Sequence, residues 1–152
     1  MKKVLIGLLI VVLVPVVALV VIGRVFFPDN IAESAPDGGE KGIRTLYLKE
    51  DRERVADISR RILKEMRTEV WGGEWRIVSE ESNEKVTRFR VEVPVVFFTD
   101  DLVVTIREDE GKTIVDARSS SRVGKSDFGE NARHIRQYFA LLESATGGRP
   151  MK

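Results

Sequence analysis

Residues 88–97, RFRVEVPVVF, decide the architecture. Phe89, Val91, Val93, Val95 and Phe97 alternate with Arg88, Arg90, Glu92 and Pro94, so one side of the segment is apolar and the other polar. A period of two is the mark of a half-buried strand, with one face on a core and one in water, as in an antiparallel sheet covered on a single side. Pro94 has no backbone N–H to give a neighbour, which predicts an edge position or a bulge.

The flanks extend this pattern. Trp75 and Ile77 alternate with polar neighbours, and residues 44–48 form a short strand candidate. An Asp100-Asp101 corner is expected to lead into a strand over 102–107, and the turn at 108–112 into another over 113–118. Between 51 and 70, Val55, Ile58, Ile62, Leu63 and Met66 recur at helical spacing, with Gly72-Gly73 as the stop. A final helix over 127–145 places Phe128, Ala132, Ile135, Phe139 and Leu142 on one face and ends at Gly147-Gly148. The order β-α-β-β-β-β-α predicts an α+β fold, a two-layer domain in which an antiparallel sheet of four to five strands packs with two helices. The alternative is a helix-grip arrangement, with the sheet curled round the last helix over an apolar cavity.

Ahead of this domain lies an uninterrupted apolar run of 19 residues, Val4 to Ile22. As a helix it would be roughly 28 Å long, close to the ~30 Å hydrocarbon core of a bilayer. Pro15 is tolerated in such a span. Lys2 and Lys3 precede the run and Arg24 follows it, which predicts a cytoplasmic N-terminus and an extracytoplasmic domain, located at the cell membrane as a single-pass protein. A cleaved signal peptide is the rival, but the run exceeds the usual apolar core of such peptides and the nearest cleavage-like sequence, Ala32-Glu33-Ser34, lies well beyond it. The expected organisation is an anchor over 1–27, a flexible linker rich in glycine, proline and acidic residues over 28–42, the α+β domain over 43–148 and a tail over 149–152.

Without Lys2, Lys3 and Arg24 the chain carries 22 basic and 24 acidic residues, so bulk attraction to nucleic acid is not expected. There is no cysteine, hence no disulfide, thiolate metal site or thiol nucleophile. His134 is the single histidine, and the carboxylates of Asp100, Asp101, Glu108, Asp109 and Glu110 fall where turns are expected, so neither metal nor cofactor is predicted.

The chemistry concentrates in residues 118–131, RSSSRVGKSDFGEN. Arg118, Ser119, Ser121, Arg122, Lys125, Ser126, Asp127 and Asn131 offer more directional hydrogen bonding than a connection needs. One reading is an anion site, with Arg118, Arg122 and Lys125 converging at a helix N-terminus to hold the phosphate or carboxylate of a small molecule or an acidic group of a protein partner. The other is a structural knot. Asp127 and Glu130 have the spacing of a capping box, Ser126 is a second possible cap, and an arginine could pair with Asp127 inside the protein. A serine-dependent hydrolase is the lesser alternative: the histidine is expected two turns into the helix, away from the serines, so an enzyme is not expected. Asn131 shares the helical phase of the core residues and requires buried partners, the serine segment being nearest.

Residues 115–136, VDARSSSRVGKSDFGENARHIR, together with 98–104, FTDDLVV, resemble the signature of the domain-of-unknown-function family DUF1499. The resemblance spans about the last two-thirds of the chain. It picks out Asp100, Asp101, Arg118, Ser119, Ser121, Arg122, Gly124, Ser126, Asp127, Gly129, Asn131, Arg133 and Ile135. It implies a shared fold and a shared site, with no activity attached. The function expected from all this is a membrane-anchored binding protein whose loop takes an anionic group. The alternative is a structural or assembly protein that acts through partners while the loop serves only the fold.

Overall fold

A computed structural model of the chain describes residues 2–26, 29–69, 73–96, 98–124 and 127–147. The sheet is antiparallel and six-stranded: β1 (Ile31–Glu33), β2 (Leu46–Leu48), β3 (Arg76–Ser82), β4 (Val86–Val95), β5 (Phe98–Asp109) and β6 (Lys112–Ser121). The spatial order is β1-β6-β5-β4-β3, and β2 joins the same side of β6 as β1, farther along. Thus Ile31, Ala32 and Glu33 pair with Ser120, Ser119 and Arg118, while Leu46, Tyr47 and Leu48 pair with Val115, Ile114 and Thr113. With α2 (Arg52–Glu65) and α3 (Glu130–Thr146) on one face, the fold is α+β, as the alternation at residues 88–97 requires.

The strand parity builds the core. Phe89, Val91 and Val93 of β4, Leu102, Val104 and Ile106 of β5, and Val115 and Ala117 of β6 face the helices and are buried. Leu63 of α2 and Ile135, Tyr138 and Leu142 of α3 fill the space above them. The two helices contact each other, with α3 over β6 and β1 and α2 over β5 and β3, in place of the helix-grip alternative.

Five expectations are corrected. The stretch expected as a flexible linker, 28–42, supplies β1, whose Ala32 is buried; the following turn is closed by Ile43 N donating to Gly38 O and Thr45 N to Ala35 O. Helix α2 starts where expected, with Asp51 Oδ1 accepting from Arg54 N at 2.8 Å, but stops at Glu65 rather than 70. Met66 and Thr68 turn inward, Trp75 N donates to Met66 O and Thr68 N to Gly73 O, so tertiary burial ends the helix before its glycines do. Asp100 and Asp101 are not a corner but lie within β5, opposite Ser121 and Ser120. Arg118 to Ser121 are strand, not loop. Pro94 sits in an inner strand, beyond the last β3 partner at Arg76↔Glu92, where its carbonyl accepts from Thr68 Oγ1 at 2.6 Å instead of a sheet neighbour.

Helix α1 (Lys2–Phe26) has 25 residues with Pro15 inside it. Among the described residues, no helix is long and apolar enough to cross a membrane, so the structure does not bear out the expected span.

Candidate functional site

The site follows from the alternation of β6. Ser119 and Ser121 point toward the helices, while Arg118 and Arg122 point to the open face of the sheet, so the residues expected to converge are divided between two sides.

On the inner side Asn131, fully buried, is the hub. Its Oδ1 accepts from Ser119 Oγ at 2.6 Å, and its Nδ2 donates to Asn30 O at 2.8 Å and to Ser121 Oγ at 2.9 Å. Asn30 adds a clamp from the N-terminal side: its Nδ2 donates to Gly124 O at 2.9 Å, and its carbonyl accepts from Ser121 N. Asp127 caps α3, Oδ1 accepting from Gly129 N at 2.8 Å and Oδ2 from Asn131 N at 2.9 Å. The helix begins after Gly129, held at φ 82°, where glycine avoids a Cβ clash. Glu130 does not reach back as a capping box would; it pairs with Arg133. Lys125 and Ser126 lie outside the described residues.

Beside this network lies a group that reading the chain as turns and loops missed. His134, 1% exposed, has Asp100 Oδ2 3.7 Å from Nδ1 and Glu130 Oε2 3.6 Å from Nε2, with the Trp75 ring edge-on at a 5.6 Å centroid distance. Among the described residues neither ring nitrogen has a hydrogen bond, nor do Trp75 Nε1 and Glu130 Oε2. Burial pushes the imidazole down to about 4; the Asp127 charge opposes this and Arg133 adds to it. Burial also raises the Asp100 carboxyl, helped by the charges of Asp127, Glu130 and Asp101 and opposed by a hydrogen bond from Ser121. Flanking carboxylates would hold a proton on the ring, but both stand beyond hydrogen-bond distance and Asp100 is itself driven toward its neutral form, so burial prevails and His134 is neutral. No serine oxygen among the described residues is hydrogen-bonded to it. Two sequence signals pointed here: Asp100 shares the parity of Leu102, Val104 and Ile106, and His134 lies three residues after Asn131, on the same helix face.

On the outer side Arg122 is held by two acids. Nε and Nη2 donate to the two carboxylate oxygens of Asp101 at 2.9 and 2.6 Å, and Nη2 also donates to Glu92 at 2.7 Å. Glu92 also pairs with Arg76, and these two guanidinium groups hold its carboxyl below the usual range. Arg122 therefore finds its anions inside the protein, but in Asp101 and Glu92, not in Asp127. Arg118 is different: its nearest carboxylate oxygen, on Glu33, is 3.7 Å away. It opens onto a shallow cleft of about 340 Å³ lined also by Arg88, Arg90, Val103 and Thr105 and by two carboxylates, Glu33 and Asp116. Arg107, nearby, is neutralised by Asp116 at 3.0 Å, whereas the side chains of Arg88 and Arg90 make no hydrogen bond or ion pair among the described residues.

No curated protein matches the chain. The family model described as "Protein of unknown function (DUF1499)" matches residues 28–142, taking in β1, the whole sheet, the buried Asn131 network and most of α3. The chain belongs to the DUF1499 family.

Proposed function

We propose that this chain is a single-pass membrane protein, anchored by α1, whose extracytoplasmic DUF1499 domain is a non-enzymatic binding module for an anionic small molecule or an acidic group of a partner. The anchor reading rests on the sequence, the uninterrupted apolar run from Val4 to Ile22, and the orientation on the lysines that precede it. The observation that carries the binding reading is the cleft of Arg88, Arg90 and Arg118 on the open sheet face: among the described residues Arg88 and Arg90 have no carboxylate partner, Arg118 has only Glu33 at 3.7 Å, and Asp116 is paired with Arg107. Of the residues expected to bind, Arg118 belongs to this cleft. Ser119, Ser121, Asp127 and Asn131 are occupied in the inner network, and Arg122 by Asp101 and Glu92.

That occupancy supports a second reading, in which the loop is a structural knot and the protein acts in assembly through partners. Thermal unfolding of the full chain in detergent, with and without a panel of phosphate and carboxylate compounds, separates the two. A ligand at ten times its Kd adds roughly 1.4 kcal/mol, a shift of several degrees. Binding at the cleft predicts a shift that Arg118→Gln abolishes and Arg122→Ala retains. No shift with any compound leaves the assembly reading.

A further inference from the structure

The end of the sheet nearest α1 carries apolar side chains that the domain does not cover. Val96, at the tip of the β4–β5 hairpin, is 48% exposed, Phe98 50% and Val123 56%. All three lie at one end of the sheet: Val95 pairs with Phe98 beside Val96, and Val123 follows Ser121, whose strand partner Asp100 is two residues from Phe98. Val96 is held at φ 45°, a conformation that disfavours a β-branched residue and that asparagine or glycine would adopt at less cost in so exposed a turn.

The chain fixes where this patch lies. Asn30 Nδ2 donates to Gly124 O, next to Val123, and Asn30 O accepts from Ser121 N. Helix α1 ends at Phe26, four residues before Asn30, and four residues span at most about 14 Å. The patch is therefore tied within a short tether of the point where the anchor leaves the bilayer. The opposite end of the sheet, at Lys112, lies about 30 Å farther along β6 and carries Glu108, Asp109 and Glu110 in place of apolar residues. An exposed apolar patch at the foot of a tethered domain matches the lipid interface, where apolar side chains bury among headgroups and upper acyl chains.

We infer that Val96, Phe98 and Val123 insert into the interface of the same membrane that holds α1, giving the domain a second foothold and a fixed posture in which the end bearing Lys112 points away. This rests on the anchor reading above. It does not depend on the arginine cleft.

The absence of cysteine makes the test direct. Single cysteines replace Val14, Phe98, Val123 or Lys112 in the full chain, each is labelled with an environment-sensitive nitrobenzoxadiazole probe, and the protein is placed in phosphatidylcholine nanodiscs with or without a doxyl quencher, deep in the acyl chain for the probe at 14 and near the headgroup for the others. The expected result is that probes at 14, 98 and 123 each lose at least about half their emission to the quencher, and that the probe at 112 loses none. Quenching at 14 but at neither 98 nor 123 overturns the inference while leaving the anchor intact; it is also the result if the patch is covered by a second copy of the chain. Equal quenching at 112 and 98 overturns the posture. No quenching at 14 removes the anchor reading, and the inference with it.

Discussion

Replacing Asn131 with alanine tests whether the inner network holds the domain together. The carboxamide makes three hydrogen bonds, to Ser119, Asn30 and Ser121, at 2.6, 2.8 and 2.9 Å. They are not equivalent once lost. The Asn30 carbonyl keeps Ser121 N, and the Ser121 hydroxyl keeps Asp100, but Ser119, fully buried, is left without a partner. A net loss of about 1 kcal/mol for each of the first two, with 1 to 3 for an orphaned buried hydroxyl, gives about 3 to 5 kcal/mol. For a domain of this size that lowers Tm by roughly 12 °C or more. Tryptophan fluorescence during thermal or urea unfolding follows the domain without interference from α1, because both tryptophans, Trp71 and Trp75, lie outside that helix. The orphan also predicts non-additivity: Ser119→Ala should cost little in the Asn131→Ala background, because the stranded hydroxyl is then removed, with a coupling of about 1 kcal/mol or more. A loss below about 1 kcal/mol for Asn131→Ala, or strict additivity with Ser119→Ala, refutes the hub.

Two further outcomes follow from other buried groups. His134 is held neutral down to about 4, below the 6.5 of the free side chain, so its contribution is present above pH 6.5 and is lost as the pH falls toward 4, where the unfolded chain binds the extra proton. Asp100, raised above 3.8, acts in the opposite sense, contributing fully below that pH and fading as the pH rises through its folded value. The margin in Tm of wild type over His134→Gln should narrow between pH 6.5 and 4; a constant or widening margin contradicts a buried neutral imidazole. Tyr138 OH donates to Ser59 Oγ at 2.7 Å between α3 and α2, and burial raises the phenol far above its usual range. Tyr138→Phe should cost about 1 to 2 kcal/mol in urea unfolding, and a cycle with Ser59→Ala should return a coupling near 1 kcal/mol; zero coupling means that the helices are not joined through that bond.

How far the sequence carried each element depended on whether its determinant was local. The helices and central strands were legible because burial follows their own periods: Val55, Ile58 and Leu63 in α2, Phe89, Val91 and Val93 in β4, Ile135 and Leu142 in α3. Their ends were less legible. Helix α2 stops at Glu65 because Met66 and Thr68 are drawn into a core made by distant segments, a force that no helical propensity expresses. Strand β1 was invisible for the same reason: Ile31–Glu33 is three residues in a glycine-rich acidic stretch and is a strand because β6 has an unpaired edge beside it.

The polar segment shows the division most sharply. The sequence by itself determined that Ser119, Ser121, Arg122, Asp127 and Asn131 would be committed to hydrogen bonding, that Asn131 faced the core, and that Asp127 stood at the start of a helix. Only the tertiary structure decided with whom. Extending β6 to Ser121 alternates its side chains, sending the serines in to Asn131 and the arginines out, and places Arg122 over Asp101 and Glu92 while leaving Arg118 beside Arg90. The same extension draws Asp100 from an expected turn into the interior with His134. Side-chain chemistry is written residue by residue, but partnership between residues 21 or 101 positions apart, as for Arg122 with Asp101 and Asn131 with Asn30, exists only after strand register and helix docking have closed the distance.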